Sequence, residues 1–150
     1  MKKGKLLYAA LLVFILITPK GLLAEEAAES LKETYQKAED GDADAQFNLG
    51  LMYDTGESVP QDYKEAMKWY SRAAEQGNAR AQHNLGLIYA TGEGVPKNYV
   101  LAYKWFNLAA AQGNEQAIKN RDTCKRYMSP FQIAKGQRLS REFILKTDKE

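Results

Sequence analysis

Cysteine and histidine are almost missing: the 150 residues hold one of each, Cys124 and His83. A lone cysteine excludes an internal disulfide framework, so stability has to come from packing. A buried, inert thiol is the usual fate of such a residue, and a bridge to another chain is the alternative. One histidine and one cysteine, about 40 residues apart, make no nucleophile–base pair that spacing supports. No metal-ligand cluster, P-loop or dinucleotide glycine motif is present. The chain reads as a non-enzyme without a cofactor, and a hydrolase is the weakest alternative.

Long apolar runs are also lacking. The longest covers residues 6–17, whereas a membrane span needs about 20 apolar residues. Lys2, Lys3 and Lys5 precede it, Thr18, Pro19, Lys20 and Gly21 break it, and Ala24 stands before Glu25. That is the three-part layout of a secretory signal peptide, with a cut expected after residue 24. No cysteine lies near the cut to carry a lipid. The expectation is an exported protein, periplasmic or secreted, without a stable membrane anchor.

Nor is there an excess of one charge. The formal net charge is +2 from 21 basic and 19 acidic residues, and loss of four lysines with residues 1–24 turns it to −2. Residues 25–120 carry 9 basic and 15 acidic side chains, whereas residues 121–150 carry 8 and 4. The basic end alternates signs and has no aromatic-rich basic face, so a solvated helix surface is expected and nucleic acid is not.

What the chain has is a repeat. Residues 41–76 and 77–112 align without a gap, with 21 identities in 36 positions. A fixed period of this size marks stacked supersecondary units. In each, Gly41 or Gly77 ends a helix and Asp42 or Asn78 caps the next. Helix A is expected over 43–55 and 79–91, with Ala45, Leu49, Met52 and Tyr53, or Ala81, Leu85, Ile88 and Tyr89, as its buried stripe. Gly50 and Gly86 cost about 1 kcal/mol each against alanine inside a helix, which implies a close neighbour. Gly56, Gly92, Pro60 and Pro96 mark the connection, and Val59 and Val95 are placed to fill the gap between helices.

Asp62 and Asn98 cap helix B, expected over 63–76 and 99–112, and Asp62 with Glu65 resembles a capping box. Its buried face is Ala66, Trp69, Tyr70, Ala73 and Ala74, matched by Ala102, Trp105, Phe106, Ala109 and Ala110. Tryptophans at identical repeat positions read as core. Residues 25–40 supply an orphan helix B. Residues 113–145 form a degenerate third unit in which Arg121 and Asp122 replace leucine and glycine, as in a terminal cap. Ser129 and Pro130 open its last helix, and residues 146–150 are a tail.

The pattern AxAQxNLGLxYxTGExVPxxYxxAxKWxxxAAxQG resembles the Sel-one-like repeat, a relative of the tetratricopeptide repeat, over roughly residues 40–145. The resemblance implies an all-α fold, a right-handed α/α solenoid whose A helices line a concave surface, and a role in protein–protein interaction. One branch of that family bridges its helices with paired cysteines, which this chain lacks.

Positions that differ between copies, Asp44/Arg80, Phe47/His83 and Asp54/Ala90, fall with Leu51/Leu87 on one face of helix A, which the resemblance puts on the concave side. Phe47, Leu51 and Leu87 are apolar where the core does not require it and are candidate anchors for a partner segment. Asn48 and Asn84 either bind its backbone or tie neighbouring helices. Phe47 has a second reading, packing on the N-terminal helix. His83 is a packing residue or, titrating near 6.5, a pH-dependent contact. The candidate partner-binding set is therefore Asp44, Phe47, Asn48, Leu51, Asp54, Arg80, His83, Asn84 and Leu87, in a monomer that binds a protein or peptide. The alternative is a binder of a small molecule or cell-wall fragment.

Overall fold

The structure, a computed structural model, describes the backbone of residues 19–147 and the side chains of 24–147. Among these residues seven helices and no strand are found: α1 (Pro19–Glu39), α2 (Ala43–Thr55), α3 (Tyr63–Glu75), α4 (Ala79–Thr91), α5 (Tyr99–Ala111), α6 (Glu115–Lys125) and α7 (Pro130–Thr147). The apolar run at 6–17 lies outside the described residues. No described helix is long and apolar enough to cross a membrane.

The chain divides between Glu33 and Thr34 into two units. The described part of the first is the largely exposed start of α1, where Glu29 pairs with Lys32 at 3.3 Å. Pro19, expected to break the chain, opens this helix; a first-turn position needs no backbone donor and suits its fixed φ.

The second unit begins with the last turns of α1 and is an α-solenoid. Asp42, Asn78 and Asn114 each accept a hydrogen bond from the backbone N–H three residues on, and Asp62 and Asn98 each accept two. These caps start α2 to α6. Gly56 and Gly92 end both A helices at φ 75° and 82°, which an L side chain resists. The capping box at Asp62 is only half made. Glu65 turns to Lys68 at 3.1 Å, and the Asp62 N–H donates to the Tyr53 carbonyl at 2.9 Å. A reciprocal box forms instead at α7, where Ser129 N–H donates to Gln132 Oε1 and Gln132 N–H to Ser129 Oγ.

Within each repeat helix A packs on helix B, and each helix B packs on the next helix A. The approach is closest at the two helical glycines. A Cβ on Gly50 would sit 2.6 Å from the Tyr70 ring, and one on Gly86 2.4 Å from the Phe106 ring. Leu49, Leu85, Trp69, Tyr70 and Phe106 are fully buried, and each such leucine contributes about 1.5–3 kcal/mol.

The buried stripe differs from expectation in one respect. Met52, Tyr53 and Tyr89 are only half-buried, while Gln46 and Gln82 are buried. Gln46 Nε2 donates to the Ala38 carbonyl at 3.0 Å and its Oε1 accepts from Gln76 at 2.8 Å. Gln82 repeats this with Ala74 at 3.1 Å and Gln112 at 2.8 Å. Each glutamine thus binds a carbonyl in the last turn of the previous helix B, which also accepts from the N–H of Gly41 or Gly77.

α7 closes on α5 through small residues. A Cβ on Gly136 would meet the Tyr103 ring at 2.7 Å, and Ser140 Oγ lies 3.2 Å from the Lys104 carbonyl and 3.0 Å from the Gly136 carbonyl of its own helix. Arg121 and Asp122, in place of core residues, sit at the surface of α6, with Arg121 3.4 Å from Asn107 Oδ1.

Candidate binding face

The nine candidate residues lie on α2 and α4. Asp44, Phe47 and Arg80 are brought together. Arg80 Nη2 donates to Asp44 Oδ1 at 2.8 Å, Asn78 Nδ2 donates to the same oxygen at 3.0 Å, and the guanidinium lies 4.4 Å from the Phe47 ring centroid. Phe47 itself corrects an expectation. Placed on a face that the core does not require, it is 8% exposed and belongs to the main core cluster. Its ring packs on Tyr70 at 5.8 Å, and Arg80 covers its outer side.

Asp54 and Asn84 meet at Tyr70. The tyrosine hydroxyl donates to Asp54 Oδ2 at 3.1 Å, and the Asn84 side chain interacts with both Tyr70 and His83. Burial pushes the Asp54 carboxyl above its ordinary range, and the Tyr70 hydrogen bond opposes this while Glu93 adds to it. Burial and the Asp54 charge push the Tyr70 hydroxyl upward, so it remains a donor. Asn84 is half-buried, whereas Asn48 is exposed. Leu51 and Leu87, at the same position in successive A helices, are 39% and 37% exposed.

His83 is half-buried, its ring 3.0 Å from Asn120 Nδ2 and 5.7 Å from the Phe106 ring. Burial lowers its pKa from 6.5, and Asn84 opposes the shift. The fold brings the histidine closer to the cysteine than their sequence separation implied: Cys124 lies one helical turn beyond Asn120 on α6. Yet the thiol is buried and its pKa is pushed up to about 11. A reactive cysteine needs the opposite shift, beside a cationic imidazole. Among the described residues no group of His, Cys, Asp or Glu is arranged to hold a metal ion.

Beside Leu87 lies a hollow of about 200 Å³, walled by Ala90, Tyr99, Phe106, Asn120, Cys124 and Tyr127. Tyr99 and Tyr127 stack at 5.2 Å across its rim. Ala90 and Phe106 stand where the first repeat has Asp54 and Tyr70, so the carboxylate and hydroxyl found there are absent here. Tyr127, 63% exposed, was not among the sequence candidates; it lies outside both aligned copies, so comparing them could not reveal it.

Stacked helix pairs joined by asparagine or aspartate caps and glycine stops define an α-solenoid repeat protein. Residues 43–78 and 79–114 each match the Sel1 repeat, and the chain is a Sel1-repeat protein with the SLR fold. No curated protein matches it. Two of the similar solved structures illustrate the likeness. One is a protective antigen present in uropathogenic Escherichia coli strains and displaying an SLR fold, with 33% identity over 91% of this chain and a TM-score of 0.78. The other is a Sel1 repeat protein from Oxalobacter formigenes, with 40% identity over 59% of this chain and a TM-score of 0.55. The chain spans 28% of the length of the first and 66% of the second.

Proposed function

We propose that the protein is an exported interaction module that binds a segment of a partner protein along the A-helix face of its repeats. The observation that carries this reading is the pair Leu51 and Leu87. Each is a large apolar side chain left about two-fifths exposed at one repeat position of consecutive helices, and such anchors suit an extended or helical ligand segment. The hollow beside Leu87 has room for one partner side chain. Asn48 and Arg80, both exposed, flank these anchors with polar groups. Export rests on the N-terminal layout alone.

The test is capture from envelope extract with residues 25–150, beside a bait carrying Leu51→Asp and Leu87→Asp. Circular dichroism must show both baits equally folded. Phe47 is left intact, because a charge there would enter the core. A protein held by the first bait and lost by the second is the expected result. Equal capture by both would remove the A-helix face from consideration.

A further inference from the structure

A second hollow, of about 390 Å³, opens between α5 and α7 beside the end of α3. Its size lies within the range of about 300–1,000 Å³ usual for small-molecule sites. Trp105 and Phe143 form one wall, packed edge to face at 5.4 Å. Into this wall leans Lys104, its Nζ 4.1 Å from the Trp105 ring centroid and 4.9 Å from that of Phe143. Ser140 Oγ lies 3.2 Å from the Lys104 carbonyl and 3.0 Å from that of Gly136, and its one proton is shared between them.

The other copy of the repeat shows what is unusual about Lys104. There the equivalent Lys68 pairs with Glu65 at 3.1 Å and stands 5.5 Å from Trp69. In the second repeat Leu101 takes the place of Glu65. Lys104 therefore makes no ion pair among the described residues. Burial lowers its pKa, and Glu75 attracts it only from beyond ion-pair distance. A half-buried ammonium without a counter-charge favours an anion brought to it. Glu75, Glu142 and Lys146 also line the hollow, so two carboxylates stand against two ammonium groups and the lining suits an anion of low charge. Trp105 is 8% exposed and Phe143 is half-buried, so a flat apolar body would pack mainly on Phe143 and meet Trp105 at the little surface it leaves open.

We propose that this hollow binds a small monocarboxylate with an aromatic body, the carboxylate on Lys104 and the ring against Trp105 and Phe143. The site lies away from the Leu51 and Leu87 face and does not depend on it. The two tryptophan indole N–H groups give two signals in a proton–nitrogen correlation spectrum of residues 25–150, assigned with Trp→Phe variants. Titration with phenylacetate is expected to move the Trp105 signal saturably in the millimolar range or below, leaving Trp69 still. Lys104→Met is expected to weaken binding by about tenfold or more, Lys104→Arg to retain it, and Lys68→Met to leave it unchanged. Phenethylamine and inorganic phosphate are expected to bind much more weakly than phenylacetate. Comparable binding of either, an unchanged affinity in Lys104→Met, or no saturable shift of Trp105 would each overturn the proposal.

Discussion

In the first repeat the Tyr70 hydroxyl reaches the Asp54 carboxylate at 3.1 Å; in the second the same two positions hold Phe106 and Ala90, and a hollow of about 200 Å³ lies there. The buried glutamines behave in the opposite way. Gln46 with Gln76 and Gln82 with Gln112 keep the same contact at 2.8 Å. What holds one unit to the next is thus duplicated, while the Tyr70–Asp54 pair, its tyrosine fully buried, is exchanged whole for two apolar residues. A hydroxyl and a carboxylate are kept or lost together because either one alone would be at least partly buried without its partner.

The sharpest contrast is at Phe47 and His83, one repeat position with two environments. Phe47 is enclosed by Tyr70 and Arg80. Truncation to alanine should cost about 3 kcal/mol, at the low end for a buried phenylalanine because Arg80 can settle into the space. His83→Ala should cost less, since that ring is only half-buried. Chemical denaturation of the two variants checks this, and equal losses would mean that Phe47 is not a core residue.

Next in size is the exchange that converts the first repeat into the second. Tyr70→Phe alone should cost about 1 kcal/mol, because Asp54 loses its donor. With Asp54→Ala added, the loss should be smaller than the two single losses combined, giving a coupling of about 1 kcal/mol in a double-mutant cycle. Strict additivity would show the 3.1 Å contact to be energetically idle.

A smaller difference lies in the loops. Ser58 has φ 68° where its counterpart Gly94 has 72°. A left-handed backbone costs a non-glycine residue about 1–2 kcal/mol, and glycine returns part of that through the entropy of its unfolded chain. Ser58→Gly should therefore stabilise by about 0.5 kcal/mol. The reverse change, Gly94→Ser, should destabilise, because its Cβ would lie 2.7 Å from Tyr63 Cβ. A raised melting temperature in the first and a lowered one in the second is the expected pattern.

These contrasts also mark how far the sequence could be read. Period, caps and helix limits were legible because each depends on neighbours in the chain: Asp62 caps donors two and three residues away. Gly50 and Gly86 were read as close approaches because a repeated helix glycine has few other causes, and the Tyr70 and Phe106 rings are the reason. Gln46 and Gln82 escaped notice because their partners lie 8 and 30 residues away. Their signal was present, an identical polar residue beside a buried alanine in both copies. Phe47 is hidden from such a reading because a difference between copies does not imply exposure. Arg80, 36 residues from Asp44, supplies the lid over its ring, and only the folded stack brings it there.

The smallest expected effect follows from pH. Burial holds the His83 pKa below its ordinary 6.5, so the folded state favours the neutral ring more than the unfolded state does. Its contribution to stability is complete above pH 6.5 and is lost as pH falls through the depressed folded value. A contact tuned by this residue would switch under more acidic conditions than an exposed histidine implies. His83→Phe gives the second repeat the residue of the first and removes that proton uptake. The slope of melting temperature against pH, on the acidic side of neutrality, should be shallower in the variant than in the wild type. Carboxylates common to both chains cancel in the difference. Parallel slopes would mean that the ring titrates alike folded and unfolded, and that Asn120 and Phe106 leave it as free as solvent would.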